Sequence, residues 1–457
     1  MRRLLIVLAF PLSGAFAQSN YVQDSLAIRR MADDILTTGK AYENLRVLCK
    51  QAPARLSGSA NAAKAVELAA GMLREAGADT VYLQPCMVPH WVRGPKEEAY
   101  LLVAGGRKIP LNVCALGNSV GTPAAGITAP VIEVRSFEEL DKLGKKGVHG
   151  RIVFLNYPMK QTLVNTFAAY GDAVRYRVMG PSQAAKYGAV GFVLRTLSTS
   201  QNDFPHTGTT RYDSAGVKIP AMAVSTNDAE KLSRYLRMKM VTTLYMKAGC
   251  KMLADTPSFN VIGEIRGSEH PDEVVTVGGH LDSWDLAEGA QDDGAGIVQS
   301  IEVIRALKAS GIRPGRTVRA VMFMNEENGG RGGRAYADHA AGDGLQYIFG
   351  LESDNGGFTP RGFSIGAEGA RFKEFTDWGP LFEPYGVFEW RFGGGGADVN
   401  PLTGVKAIVG ELVPDSQRYF DFHHAANDVF EAVNRRELLL GAVNMTALIY
   451  LVSKYGI

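Results

Sequence analysis

The chain has 457 residues, of which 46% are hydrophobic and 21% are charged, a balance typical of globular proteins with a sizeable core. At this length we expect two or three domains. The 49 basic and 47 acidic residues nearly cancel, so the charge gives no support to nucleic acid binding.

The first 17 residues have the pattern of a cleaved secretory signal peptide. Arg2 and Arg3 precede an apolar run at residues 4–10, and Ala15 and Ala17 supply the small residues before a cut. The run is too short to span a bilayer comfortably, and no later run approaches 18 apolar residues. We therefore expect a signal peptide at residues 1–17 and an exported protein, secreted or periplasmic, without a membrane anchor.

The four cysteines show no CxxC spacing, which argues against a cysteine metal site. In an oxidising compartment they could pair as disulfides. Independent buried thiols are the alternative. The residues are Cys49, Cys86, Cys114 and Cys250.

The N-terminal part predicts helices followed by short strands. Apolar residues recur at helical spacing over residues 22–50 and 61–76. Runs typical of strands follow, and we expect them to share one layer. These strands are predicted at 80–83, 100–103 and 110–113.

A change of composition near Gly117 marks a second module. Residues 121–130 are rich in Gly, Pro, Ala and Thr, as linkers are. Strands and helices then alternate without the clustered acidic and His residues of a metal site. We therefore predict an inserted α/β domain at 116–250, a lid or binding module. Its strands are predicted at 131–134, 151–155, 189–194 and 221–224, and its helices at 137–143, 181–187 and 227–235.

Strand–helix alternation returns after Ser258 and predicts an α/β fold. We expect a mainly parallel, doubly wound sheet with helices on both faces. The larger domain would then consist of residues 18–115 and 251–457. Its later strands are predicted at 261–265, 274–277, 318–324, 347–352 and 405–412, and its helices at 297–307 and 435–451.

Polar residues follow four of these strands where each one ends. In open α/β sheets, ligands bind outside the carboxyl ends of the strands. Each residue alone has an ordinary explanation: a hydrogen-bonded core His, a helix cap or a solvated acidic pair. Together they form a mixed His and carboxylate set, which suits zinc or a related divalent ion. The residues are His280, Asp282, Asp292, Glu326, Glu327, Asp354, His423 and His424.

Several motifs in this region resemble the M28 family of co-catalytic zinc exopeptidases. They are NVIGEIRGS (260–268), GGHLDSWD (278–285), GAQDDGAG (289–296), FMNEENGG (323–330), ESDNG (352–356) and FHHAAND (422–428). The inserted module resembles a protease-associated domain, and residues 188–212 and 217–225 resemble the carboxypeptidase Q branch of the family. The resemblance therefore extends over most of the mature chain and implies a zinc exopeptidase fold.

The resemblance implies two Zn²⁺ ions per chain and a role for each site residue. His280 and Asp354 would bind one ion, Glu327 and His424 the other, and Asp292 would bridge them. The choice of His424 over His423 follows the family pattern of a His and an Asp four residues later.

The other roles are catalytic. Glu326 would be the general base that deprotonates a metal-activated water. Asp282 would hydrogen-bond the ring of His280, and Asp428 would serve His424 in the same way.

The implied activity is hydrolysis of dipeptides or release of C-terminal residues from short peptide substrates. Arg391 and Arg195 are candidates for binding a substrate carboxylate, although a solvated surface position is the alternative for each. A dizinc aminopeptidase has the same catalytic residues and stays open as an alternative. A non-catalytic binding protein and a single-zinc acyltransferase of this fold are less consistent with the complete ligand set. The resemblance is also compatible with a homodimer.

Overall fold

The computed structural model describes residues 13–457, except for the side chains of residues 13–20, 104, 241 and 242. Most of the predicted signal peptide therefore lies outside the described residues. The helices are α1 (Ser13–Thr38), α2 (Ala41–Gln51), α3 (Ala60–Glu75), α4 (Phe137–Val148), α5 (Thr166–Lys186), α6 (Thr226–Arg237), α7 (Ala295–Ala309), α8 (Arg331–Ala340), α9 (Gly369–Asp377), α10 (Gly379–Phe382), α11 (Tyr419–Phe422) and α12 (Arg435–Tyr455).

The strands alternate with these helices along most of the chain. They are β1 (Thr80–Val92), β2 (Glu98–Val103), β3 (Lys108–Pro110), β4 (Val113–Ala115), β5 (Ile127–Ala129), β6 (Val131–Val134), β7 (Ile152–Leu155), β8 (Gly191–Arg195), β9 (Ala221–Val224), β10 (Val241–Lys247), β11 (Lys251–Ile265), β12 (His270–His280), β13 (Arg316–Phe323), β14 (Gln346–Glu352), β15 (Pro360–Ile365), β16 (Glu389–Phe392) and β17 (Ile408–Pro414).

The largest sheet has eight strands in the order β1-β11-β13-β12-β14-β17-β15-β16. Its four central strands, β13, β12, β14 and β17, run parallel, while β1 and β11 pair antiparallel at one edge. From β12 the chain adds β13 on one side and β14 on the other, so the strand order reverses there. Reversals of this kind place a crevice at the carboxyl ends of the strands.

Helices cover both faces of this sheet, as the sequence predicts. The larger apolar cluster joins one face to α1, α2, α3, α7 and α12, and the smaller one joins the other face to α8. Side-chain caps fix where several helices begin: Ser59 accepts a hydrogen bond from Ala62 N–H at α3, and Asn434 accepts two at α12. Such caps satisfy backbone donors that the first turn leaves free.

Two smaller sheets form the inserted part of the chain, with the orders β3-β2-β10-β5 and β4-β9-β8-β7-β6. The expectation that residues 100–103 and 110–113 share a layer with β1 is wrong, because β2 pairs with β10 on one side and with β3 on the other. Since β4 pairs with β9 as well, we propose that the inserted domain begins near Gly94 rather than at residue 116. Its end near residue 250 stays as predicted.

Two predicted helices differ from the observed ones in extent. The single helix expected over 22–50 is two helices, α1 and α2, separated at Gly39, where an added Cβ would lie 2.3 Å from the carbonyl of Ile35. The helix expected at 181–187 is the last part of α5, which contains Pro181. The spacing of apolar residues predicts neither the break at Gly39 nor the continuation of α5 through Pro181, because each depends on a single backbone position.

The four cysteines are free and buried, which corresponds to the thiol alternative. Burial raises the pKa of Cys49 to about 12 and of Cys86 to about 11. Thiols with such pKa values hold their protons at neutral pH and react slowly.

Helix α12 is long and apolar enough to cross a membrane, with a mean hydropathy of 1.4. In the fold, 83% of its apolar window is buried, and it packs against α1 and α7. Its position in the core therefore explains its apolar composition.

Two helical glycines should respond in opposite ways to replacement by alanine. At Gly332 a Cβ would lie 2.2 Å from the carbonyl of Met324 and 2.4 Å from Asn260 Oδ1, so Gly332→Ala should lower the free energy of unfolding by about 1–3 kcal/mol. At Gly71, inside α3, nothing lies within 4 Å, so Gly71→Ala should raise it by about 0.5–1 kcal/mol. Urea unfolding of both variants measures this, and equal effects would contradict it.

Candidate metal centre and active site

The predicted site residues meet at the carboxyl edge of the large sheet. His280 is the last residue of β12, Glu326 and Glu327 follow β13, and Asp354 follows β14. Asp292 lies in the turn Ala290–Gly294 before α7, next to a cis peptide bond with Asp293. The parallel strands therefore bring together residues that are up to 144 positions apart, from His280 to His424.

The first half of the site contains His280, Asp292 and Asp354. The Nε2 atom of His280 lies 3.2 Å from Asp292 Oδ1 and 3.1 Å from Asp354 Oδ1. Three ligand atoms so close together match the spacing of a shared cation.

The second half contains His424, Glu327 and the other oxygen of Asp292. The Nε2 atom of His424 lies 3.1 Å from Glu327 Oε2 and 3.3 Å from Asp292 Oδ2. His423 approaches only to 3.9 Å of Asp292 Oδ2, so the geometry favours His424. Asp292 thus directs one carboxylate oxygen to each half.

The residues present fit a pair of metal ions. Asp292 Oδ2 is buried and has no hydrogen-bond partner within the described part of the chain, although buried polar atoms normally have one. Imidazole and carboxylate together are donors that zinc prefers. A cation on each side of Asp292 would satisfy the orphaned oxygen and neutralise the cluster.

Asp282 does not make the predicted carboxylate contact with His280. Its carboxylate lies 3.9 Å from His280 Nδ1, whereas its main-chain carbonyl lies 3.0 Å from that nitrogen. The carboxylate instead accepts hydrogen bonds from the N–H groups of Asn325 at 2.7 Å and Glu326 at 3.1 Å. It turns away because two backbone donors of the β13 turn face it.

Asp428 likewise contacts a different part of the site from the one predicted. It accepts hydrogen bonds from the N–H groups of Gln291 at 2.7 Å and Asp292 at 3.2 Å. It therefore fixes the backbone of the shared ligand. The nearest partner of His424 Nδ1 is the carbonyl of Thr207, at 3.4 Å.

Glu326 occupies the turn after β13 and lines the main cleft. The preceding residue, Asn325, has a φ of 74°, a left-handed conformation that Asn tolerates better than most residues. This turn directs two consecutive carboxylates into the site. Burial raises the pKa of Glu326 well above its ordinary value, and the charge of Asp354 raises it further.

The inserted domain takes part in the site. Thr207 N–H donates a hydrogen bond of 2.9 Å to the carbonyl of His424, and the Thr209 hydroxyl donates one of 2.6 Å to the carbonyl of Glu327. The domain thus holds the backbone of both ligands in the second half.

Arg177 of α5 is a site residue that the sequence reasoning missed. Its side chain is 6% exposed, lines the cleft and has Nη1 3.5 Å from His424 Nδ1. Its described partners are the Thr209 carbonyl, the His424 ring and the Tyr170 ring, and none of them is a carboxylate. A buried guanidinium without a counter-ion is well placed to bind an anion. The sequence gives no signal of such a role, because Arg177 is one of several arginines in a helical segment.

The two arginines named from the sequence have other surroundings. Arg195 is buried and paired with Glu230, and Arg391 is paired with Glu389 on the cleft wall. The cleft has a volume of about 1230 Å³, which is ample for a short peptide. Both pairs reduce the charge available to a substrate carboxylate.

Comparison with known proteins identifies the family. A model described as Peptidase family M28 matches residues 260–447. Carboxypeptidase Q of Mus musculus is 34% identical over 438 residues, which cover 95% of this chain and 90% of that protein. Carboxypeptidase Q of Homo sapiens is 35% identical over 417 residues, with coverages of 91% and 85%.

The chain belongs to peptidase family M28. Within M28 it is a carboxypeptidase Q-like metallo-exopeptidase, as the sequence motifs indicate. The crystal structure of an M28 peptidase precursor from Shewanella amazonensis is similar, with a TM-score of 0.91, 28% identity and coverages of 96% and 98%. A zinc aminopeptidase from Bacillus subtilis shares the M28 fold at a TM-score of 0.66, with 20% identity and coverages of 91% and 95%. The zinc exopeptidase fold predicted from the sequence is confirmed.

The metal-free M28 protein should lose stability as the pH rises from about 6.5 to about 8. Burial raises the pKa of Asp398, Glu411 and Asp428 to about 7. A carboxyl whose pKa is raised in the folded state stabilises the fold fully at pH values below its ordinary pKa. This stabilisation is lost as the pH rises through the pKa of the folded state.

Buried histidines should not mask this trend in that window. Burial lowers the pKa of His206 to about 3 and of His423 to about 4, so both are neutral in the folded state throughout the window. In the unfolded state they titrate at about 6.5, and their opposing contribution is smaller than that of the three carboxyls, whose folded pKa values lie within the window. Thermal melts after removal of metal by a chelator measure the trend, with the zinc-loaded protein as the control. A melting temperature that rises with pH in the metal-free sample would contradict it.

Proposed function

We propose that the protein is an exported dizinc exopeptidase that hydrolyses dipeptides or releases C-terminal residues from short peptides. The observation that carries the proposal is the position of Asp292 between two His–carboxylate clusters. His280 and Asp354 would hold one ion with Asp292, and Glu327 and His424 would hold the other. The contacts of 3.1–3.3 Å between these side chains support this division.

Zinc bound there would supply Lewis acidity, which makes water acidic enough to ionise near neutral pH and polarises a carbonyl group. Glu326 would take the proton from the attacking water and return it to the leaving amine. Burial raises its pKa above the ordinary value, and a raised pKa strengthens a carboxylate as a proton acceptor. Asp282 would hold the Glu326 backbone in place through its two accepted hydrogen bonds.

Arg177 supports a requirement for a free C-terminal carboxylate. Its guanidinium lies beside His424 in the cleft without a carboxylate partner among the described side chains. A substrate carboxylate would provide that partner, and its hydrogen bonds would fix the scissile bond relative to Glu326. The names of the two carboxypeptidase Q relatives also describe cleavage from the C-terminus.

An aminopeptidase of the same fold is the second candidate. The aminopeptidase YwaD of Bacillus subtilis is 26% identical over 301 residues, which cover 65% of this chain and 57% of that protein. The candidate metal ligands and Glu326 would serve a carboxypeptidase and an aminopeptidase equally well. The two candidates differ only in which free terminus the substrate must offer.

Export is supported by the pattern of residues 1–17, which combines a basic start, an apolar run and a small-residue cleavage site. A homodimer stays a prediction from the resemblance.

Glu326→Gln should retain both zinc ions and the fold but lower kcat by about 100- to 10,000-fold, because general-base catalysis contributes on this scale. The amide keeps the shape of the carboxylate but cannot accept the proton. Zinc content and steady-state kinetics on the same sample measure this. Glu383→Gln, at an exposed position away from the cleft, is the control. A near-normal kcat for Glu326→Gln would remove Glu326 as the base.

An unblocked dipeptide, its N-acetyl form and its C-amide form should separate the two directions. We expect loss of hydrolysis with the C-amide form, since it lacks the anion that Arg177 would bind. Loss with the N-acetyl form alone would establish an aminopeptidase. Arg177→Met should raise KM for the unblocked peptide by at least about 10-fold, the loss expected for one charge-assisted hydrogen bond. Arg175→Met, on the exposed side of the same helix, should leave KM unchanged.

A further inference from the structure

The loop between α2 and α3 reaches the underside of the metal centre from a distant part of the sequence. Ala54 N–H donates a hydrogen bond of 2.7 Å to the carbonyl of Ala287. The Ser57 hydroxyl accepts one of 2.8 Å from Asn325 and donates one of 3.0 Å to Asn328. The loop thus contacts both the segment 281–289 and the turn that carries Glu326. It lies outside the part of the chain that the M28 family model matches.

Arg55 is the central residue of this loop. Its side chain has no exposed surface, and its guanidinium donates three hydrogen bonds to main-chain carbonyls. Nε binds Leu281 at 2.6 Å, Nη1 binds Glu288 at 2.5 Å and Nη2 binds Gly289 at 2.9 Å. Because the guanidinium is planar and rigid, these three bonds fix the two ends of the segment 281–289 relative to each other.

The ends of that segment adjoin two of the metal ligands. His280 immediately precedes Leu281, and Asp292 follows Gly289 by three residues. No regular helix or strand constrains residues 281–289, so the distance between the two ligands depends on contacts from outside the segment. Asp428 holds the backbone of Asp292. Glu327 and Arg93 hold the middle of the segment through the Trp284 N–H and the Asp285 carboxylate, and Arg55 joins its two ends.

The charge of Arg55 also matches the site above it. A buried arginine normally pairs with a carboxylate, but in the described part of the chain the hydrogen-bond acceptors of the Arg55 guanidinium are all main-chain carbonyls. The carbonyls that it binds belong to a segment ending three residues before Asp292, one of the candidate metal-binding carboxylates.

We propose that Arg55 is a positioning residue for the metal centre: it closes the segment 281–289 so that His280 and Asp292 face the same ion. It touches neither substrate nor metal and acts through the backbone of the two ligands. The proposal rests on the dizinc site proposed above.

Arg55→Met should weaken zinc binding by about 10- to 100-fold, the range typical when a residue that orients a metal ligand is lost. Methionine keeps the apolar stem but removes all three donors. In the metal-free protein, hydrogen exchange should speed up in residues 281–292 and stay unchanged in the inserted domain. KM should stay unchanged in the fully zinc-loaded variant while kcat falls, because Arg55 does not line the cleft.

Arg55→Lys should give an intermediate zinc affinity, because a single ammonium group keeps the charge but cannot span the three carbonyls. This variant keeps the test usable if Arg55→Met does not fold. Arg46→Met is the matched control, since Arg46 is an exposed arginine of α2 that pairs with Glu43. A competition titration with a zinc chelator measures the affinities of all three.

Zinc affinity equal to wild type in Arg55→Met or Arg55→Lys would overturn the proposal. So would faster exchange throughout the chain, because that result would make Arg55 a general core residue. If the wild-type protein binds fewer than two zinc ions, the proposed function fails. The exchange of residues 281–292 in metal-free protein still tests the positioning role by itself.

Discussion

The architecture of the site depends on one buried carboxylate that serves two clusters at once. Asp292 directs Oδ1 towards His280 and Oδ2 towards His424, and a single group can do this only if its backbone is held firmly. Asp428 supplies two hydrogen bonds to that backbone region. These bonds keep Asp292 between the two clusters.

Several buried carboxyls around Asp292 repel one another. Burial raises the pKa of Glu327 well above its ordinary value, with Asp292 adding to the effect, and Glu326 behaves similarly. A set of acids that the fold forces together is stable in its charged form only with cations among them. The same electrostatic strain that destabilises the metal-free protein would therefore supply the affinity for metal.

The centre is built from three parts of the chain that are far apart in sequence. The large sheet supplies the ligands, the inserted domain binds the backbones of His424 and Glu327 through Thr207 and Thr209, and the α2–α3 loop binds the segment 281–289 through Arg55. A displacement of either outer part would move ligands without touching them directly. Substrate binding by Arg177 would also connect the inserted domain to the reaction, since Arg177 belongs to α5.

The sequence by itself determined the α/β class, and it predicted the inserted module and the site residues at the sheet edge. These follow from local signals: strand and helix periodicity, and polar residues placed at strand ends, as with His280 after its apolar run. Choosing between His423 and His424 needed the family pattern, because both offer the same chemistry. In the structure, the distances to Asp292 and Glu327 distinguish the two rings.

Other features were decided by tertiary structure alone. The strand at 98–103 joins the inserted domain because its partner is β10, more than 130 residues later, and strand pairing at that range has no local signal. The carboxylates of Asp282 and Asp428 bind backbone N–H groups because those donors face them in the fold. Arg55 and Arg177 look like ordinary arginines in the sequence. Their proposed roles come from burial without a carboxylate partner among the described side chains, and burial is a property of the packed chain.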